Sequence, residues 1–359
     1  MIWKSGRKGG DGMALTVDIE KRFRGFTLRA AFEAGDETLA LLGASGCGKS
    51  MTLRCVAGVE RPDRGRIVLD GETLFDSEKG VDLSPQARRV GLMFQHYALF
   101  PQMTVIQNVR CGARRDMKGR EREGAARAML EAFGISDLAD RLPSQLSGGQ
   151  QQRTALARMM VGQPRILMLD EPFSALDSHL RFRMEQEVRG VIRRFGKTVL
   201  LVSHDRDEVY RMADRVALMS GGQIERIGTR AEVFSDPGTR TGCLLTGCKN
   251  VSAIRPIDGG HAEALDWGVT LAFPVKPGTD AVGIRMHAVR PGPGENALRC
   301  RVAEVIENPF SITVMLRPVN AEEGKTAIGW EMEKQVWKTL SAEEIMVHLP
   351  PESILQLKG

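Results

Sequence analysis

The chain has 359 residues, 42% hydrophobic and 26% charged, which is the make-up of a globular protein long enough for two domains. Its formal charge of +5 is mild, and residues 240–359 hold 13 Lys and Arg against 14 Asp and Glu, so the excess lies in the first 239. No aromatic-interleaved basic stripe marks a nucleic-acid partner, and no run of 18 apolar residues is present to span a membrane.

In chain order, residues 1–12 are polar and basic without the apolar stretch of a secretory signal. They read as a disordered extension, or as an artefact of start-site choice with Met13 as the real beginning. Residues 17–32 predict one or two strands turning near Arg24-Gly25. Phe23 and Phe26 each suit stacking on an adenine ring or a place in the core equally well. The apolar run Glu37 to Leu42 predicts a buried strand, and Met51 to Ala57 predicts a helix. Between them stands Gly43-Ala44-Ser45-Gly46-Cys47-Gly48-Lys49-Ser50. Strand, glycine loop and helix in succession are the context of a phosphate-binding P-loop. The glycines let backbone N–H groups point at phosphate oxygens, and the helix start adds its positive dipole end. Lys49 is placed to reach the β- and γ-phosphates, and Ser50 to bind Mg²⁺. A glycine turn without a ligand is the alternative.

Further strands are expected at residues 66–71 and 90–94, the latter ending at Gln95. A helical subdomain over about 100–145 is bounded by Pro101 and Pro143, with helices from Val105 and over 120–133. Helices at about 150–160, 178–195 and 206–212 then alternate with strands at 166–169 and 198–202, which predicts a parallel sheet covered on both faces. After a linker at about 228–246 the pattern changes. Strand-like runs at 268–275, 281–285, 299–306, 311–316 and 345–349 predict a small all-β domain over 240–359, a barrel. Six scattered cysteines, at 47, 55, 111, 243, 248 and 300, lack metal-like spacing and fit thiols in a reducing cytoplasm.

Two further stretches carry chemistry. Asp170-Glu171 ends the strand at 166–169, where a carboxylate can hold Mg²⁺ through water. That role suits Asp170, while Glu171, pointing the other way, can polarise a water for attack on the γ-phosphate. Leu146-Ser147-Gly148-Gly149-Gln150 opens a helix that Ser147 can cap, which makes a second anion-binding helix start. One nucleotide can use both helix starts only if two copies meet head to tail, so a homodimer is expected.

In this order, over roughly residues 14–235, the chain resembles the ATP-binding subunit of an ABC transporter. The matching positions are Gly43 to Ser50, Gln95, Leu146 to Gln150, Asp170-Glu171, Ser174-Ala175-Leu176-Asp177, and His204 within Val202-Ser203-His204-Asp205. The resemblance implies an α/β P-loop ABC ATPase core over residues 13–235, with ATP and Mg²⁺ as cofactors. Gln95, Glu171 and His204 are then the catalytic set: Gln95 senses Mg²⁺ and the attacking water, and His204 contacts the γ-phosphate. Ser50, Gln95 and Asp170 are the metal set. Met51 and Phe23, the latter matching the adenine-stacking aromatic, join the P-loop in holding nucleotide. Ser147, Gly148, Gly149, Gln150 and Asp177 serve the nucleotide of the opposite subunit. Ala44 departs from a frequent proline, and Met159-Met160 from a smaller pair.

Residues 97–105 resemble the segment that receives an importer's permease, and the β-domain resembles the OB-like regulatory barrel of importer ATPases. These likenesses imply two transmembrane permease subunits, a solute-binding protein reached indirectly, and a peripheral place on the cytoplasmic membrane face. Stretches at 204–210, 246–252 and 264–270 look like the molybdate/sulfate branch, so an oxyanion cargo is expected. Sugar, polyamine or ferric iron is the alternative cargo, and a non-transport ABC ATPase the alternative class. Lys249-Asn250, with N–H groups near Gly247, suggests a cradle for an oxyanion ligand on the β-domain.

Overall fold

The computed structural model describes residues 14–174, 176–340 and 342–359. The extension expected at 1–12, Met13 and Ala175 lie outside the described residues. The chain divides between Arg230 and Ala231 into two compact units.

The first unit is built on an eleven-stranded sheet. Thr38–Gly43, buried at every position, runs parallel to Arg215–Ser220 on one side and to Val199–Ser203 on the other. Leu167–Asp170 and then Gly91–Met93 extend the parallel part. Continuous apolar runs such as Leu39 to Leu42 and Val199 to Val202 form these strands because both faces are covered. Each fully buried leucine there contributes about 2 kcal/mol.

The other wing differs from the expected parallel sheet. Leu15–Phe23 pairs antiparallel with Phe26–Ala34, and Arg64–Leu69, Glu72–Asp76 and Val81–Asp82 continue antiparallel. The reason is connection length. The turn at Arg24-Gly25, with Gly25 at φ +82°, and the turn at Asp70-Gly71 are too short for the crossover that parallel strands need. The hairpin Arg215–Ser220 and Gln223–Thr229, closed by Gly221-Gly222, was not expected from the sequence.

The helical insertion holds helices Val105–Cys111 and Gly119–Ala132. Thr104 and Gln107 start the first with a reciprocal capping box. Helices Gly148–Met160, Ser178–Phe195 and Arg206–Met212 match the expected ones closely.

The second unit is the small all-β domain. One antiparallel sheet orders Val269–Ala272, His261–Ala264, Asn250–Pro256, Ala281–Ile284 and Leu355–Leu357. The other orders Arg290–Pro291, Glu344–His348, Ala297–Glu307, Ser311–Pro318 and Ile328–Glu333. Side chains of both sheets, Leu271 and Val282 with Val314 and Trp330, share one core. The oxyanion cradle expected at Lys249-Asn250 is not formed. The buried Asn250 amide donates to the Gly329 carbonyl and accepts the Gly329 N–H, both at 2.7 Å, while Lys249 is exposed. Pairing between strands consumes the polar groups that a ligand needs.

Among the described residues, no helix is long and apolar enough to cross a membrane.

Candidate active site

The strand Thr38–Gly43 delivers the chain into the loop 44–48, and the helix Lys49–Ala57 leaves it. A Cβ at Gly43 would fall 2.2 Å from the Met219 carbonyl oxygen, so only glycine fits there. Gly46 and Gly48 have φ of +80° and +106°, conformations that glycine adopts without strain. Gly48 caps the helix with no side-chain bond. Among the described residues, the N–H groups of Lys49, Ser50 and Met51 have no protein acceptor. A row of unpaired N–H donors at a helix start is a ready anion site.

Lys49 is 4% exposed, and its ammonium donates to the carbonyls of Gly43 and Ala44, each at 2.8 Å. Cys47 lies buried in the same loop, its sulfur 3.9 Å from Lys49 Nζ. The Ser50 hydroxyl donates to Asp170 Oδ1 at 2.6 Å. Burial pushes the Asp170 carboxyl above the usual carboxylate range. A hydroxyl and a carboxylate are the hard oxygen donors that Mg²⁺ takes, so this pair fits such an ion.

Glu171 follows directly, yet turns away. Its φ is +46°, in the left-handed region, and its N–H donates to the Val202 carbonyl. The side chain meets two residues distant in sequence. His204 Nδ1 is 3.1 Å from Oε1, and Gln95 Nε2 donates to Oε2 at 3.4 Å. Gly91–Met93, Leu167–Asp170 and Val199–Ser203 are neighbouring parallel strands, and Gln95, Glu171 and His204 follow their carboxyl ends. Ligands of open α/β sheets bind at that edge. Two adjacent carboxylates thus face different tasks, Asp170 toward Ser50 and Glu171 toward Gln95 and His204.

The glycine stretch at 146–150 stands apart. Ser147 caps Gly148–Met160 by accepting from the Gln150 N–H at 3.4 Å, and Gln150 Oε1 takes the Ser147 N–H at 2.9 Å. Gly148 and Gly149 approach Leu176 and Met184 closely. Asp177 is exposed at the start of Ser178–Phe195 and makes no side-chain cap. Among the described residues, no hydrogen bond or ion pair joins Ser147 to Gln150, or Asp177, with the P-loop. A single chain does not bring them together.

Phe23 and Phe26 face each other across their hairpin, ring centroids 6.0 Å apart. Phe26 abuts the P-loop, since a Cβ at Gly48 would fall 3.1 Å from its ring. Phe23 sits beyond it, with the Lys21 ammonium 5.7 Å from its centroid. Met51 is half-buried against the core.

Sequence reasoning passed over two side chains. Arg158, in the last turn of Gly148–Met160, donates to the carbonyls of Tyr97 and Ala98, each at 2.7 Å. Both carry positive φ, and Arg158 also lies 5.5 Å from the Phe100 ring. It ties the segment after Gln95 to the helix that Ser147 begins. Glu208, one turn after His204, is buried and bonded to Ser203. The only signal for Arg158 in the sequence was a basic residue at a helix end, and a charged residue inside a helix start gave none for Glu208.

A family model described as ABC transporter matches residues 29–174. The putrescine transport ATP-binding protein PotG of Escherichia coli is 41% identical over 310 residues, 80% of this chain and 78% of its own length. The spermidine/putrescine import ATP-binding protein PotA of Frankia alni is 42% identical over 294 residues, 75% of this chain and 62% of its own. The molybdenum import ATP-binding protein ModC of Paramagnetospirillum magneticum is 41% identical over 240 residues, 67% of this chain and 65% of its own. The chain therefore spans less than two thirds of the length of PotA and ModC. A solved dimeric structure of MJ0796, a bacterial ABC transporter cassette, aligns with a TM-score of 0.51 at 29% identity, over 60% of this chain and 98% of that one.

Proposed function

This chain belongs to the ABC transporter family of ATP-binding proteins, and from that premise we propose that it hydrolyses ATP as the motor of a solute importer. The observation that carries the reading is the meeting of Gln95 and His204 on the Glu171 carboxylate, beside the Ser50–Asp170 pair.

The free N–H groups at the start of Lys49–Ala57 and the Lys49 ammonium hold the β- and γ-phosphates of ATP. Ser50, Gln95 and Asp170 would hold Mg²⁺, which would supply charge neutralisation on those phosphates. Glu171 orients the attacking water and accepts its proton, with Gln95 and His204 fixing the direction of the carboxylate. His204 then stands at the γ-phosphate. Phe23 offers its ring to the adenine.

Two copies act head to tail. Ser147, Gly148, Gly149 and Gln150 of one copy close on the nucleotide held by the P-loop of the other, and Asp177 lies along that seam. Residues 97–105 receive the permease, two transmembrane subunits fed by a solute-binding protein, so the chain works as a peripheral protein on the cytoplasmic membrane face. The stretches at 204–210, 246–252 and 264–270 favour an oxyanion such as molybdate or sulfate as cargo. A polyamine is the second reading. It is favoured by the 310-residue match to PotG, which is longer than the first unit and so continues into the all-β domain.

The test is Glu171→Gln. It should keep ATP binding and lower hydrolysis by about 10²–10⁴-fold, the usual contribution of a positioned general base. Wild-type turnover by this variant removes Glu171 from the chemistry.

A further inference from the structure

His204 projects from a turn that is braced from beneath. The strand Val199–Ser203, apolar and fully buried, ends at Ser203. The Ser203 hydroxyl accepts the Asp205 N–H at 2.9 Å, so the residues on either side of His204 are tied together. The same hydroxyl donates to Glu208 Oε2 at 3.1 Å. Asp205 in turn caps Arg206–Met212, accepting from the N–H groups of Asp207 at 2.9 Å and Glu208 at 3.1 Å. Glu208 is 4% exposed, and its second oxygen, Oε1, has no partner among the described residues. A carboxyl in this place is costly, and packing alone would favour an apolar residue.

We propose that Glu208 is a positioning residue for the reaction: through Ser203 it holds the turn that sets His204 against Glu171. The proposal rests on the ATPase reading above and adds to it a residue that acts through Ser203.

The surroundings decide the charge state of Glu208. Arg206–Met212 packs on Thr38–Gly43 and Val199–Ser203, neither of which carries a charged residue. From Ser178–Phe195, Glu185 and Arg181 face it, and Asp205 faces it from its own turn. Arg181 is directed to Asp205 at 3.4 Å, and Glu185 is engaged by Arg211 at 2.7 and 2.8 Å. Among the described residues neither cation bonds Glu208, although the Arg181 charge acts on it weakly from nearby. Burial above all pushes its carboxyl up to about 8, against the opposing bond from Ser203 and the Arg181 charge, with smaller additions from the charges of Asp205 and Glu185. At pH 7 the group is therefore neutral and accepts the Ser203 hydroxyl without a buried charge. Above about pH 8 it ionises, and the turn must open to admit water to the bare Oε1.

The experiment compares the whole wild-type chain with Glu208→Gln, Glu208→Leu and Ser203→Ala. Glutamine keeps the acceptor and cannot ionise. The fall in wild-type kcat above about pH 8 should be absent in Glu208→Gln. Glu208→Leu and Ser203→Ala should lose about 10- to 100-fold in kcat with little change in KM, the scale expected of a displaced catalytic group. The His204 ring resonances, identified by their loss in His204→Ala, should be displaced at neutral pH in Glu208→Leu and Ser203→Ala and kept in Glu208→Gln. Wild-type ring resonances and wild-type kcat in Glu208→Leu and Ser203→Ala overturn the proposal. Absence of hydrolysis in the wild type strikes the ATPase reading, while the ring resonances still decide the positioning role.

Discussion

Two glycine-rich stretches each lead into a helix, and they are finished in opposite ways. At Gly48 the helix starts without any side-chain cap, and among the described residues the N–H groups of Lys49, Ser50 and Met51 have no acceptor. At Ser147 the helix closes its own end, hydroxyl to Gln150 N–H and Gln150 amide back to Ser147 N–H. The first end leaves its donors unpaired, as an anion site requires. The second satisfies its own first turn within the chain. Under the proposed function, the same local chemistry, a helix dipole behind glycines, would bind phosphate within one copy at the first end and across two copies at the second.

Substituting the glycines tests that contrast most severely. Gly43→Ala drives a Cβ to 2.2 Å from a carbonyl oxygen that cannot yield, and should cost about 3 kcal/mol or more. Gly148→Ala meets only a Leu176 methyl at 3.1 Å and should cost far less. Urea unfolding of both variants measures the difference, and equal midpoints would contradict it. Next comes Ser147→Arg. It should leave nucleotide binding to each monomer intact and weaken the ATP-bound dimer by at least about tenfold. Sedimentation of that variant as a normal ATP dimer would show that the second helix start does not meet a partner's nucleotide. The smallest effect is expected from Ser147→Ala, which removes the cap without adding bulk. Loss of about 1 kcal/mol in the free chain, read from its thermal midpoint, fits a helix that caps itself; no loss means the cap is idle until dimerisation.

The P-loop, the strand-end carboxylates and the Ser147 helix were legible because their chemistry lies in consecutive residues. Glycine positions, a lysine, a hydroxyl and an apolar run are all set by spacing along the chain. Most parallel strands were legible for the same reason, since burial on both faces writes a continuous apolar word, but Arg215–Ser220, parallel to Thr38–Gly43, was missed. The antiparallel wing was partly missed, because a half-exposed strand such as Gln223–Thr229 alternates burial along a mostly polar sequence. Lys249-Asn250 misled because the sequence offers an amide without showing that Gly329, 79 residues on, consumes it.

From sequence alone came the glycine loop between strand and helix, the order of the motifs, and the fold class, an α/β core followed by an all-β part. The tertiary structure alone decided which groups meet. The left-handed turn at Glu171 separates two adjacent carboxylates, and strand order brings Gln95 and His204 to the second of them. Arg158 at the Tyr97 carbonyl and Glu208 beneath His204 emerge only there as well. Their partners are set by how strands and helices pack, and a hydrogen bond between packed elements leaves no periodic trace in the chain that folds to make it.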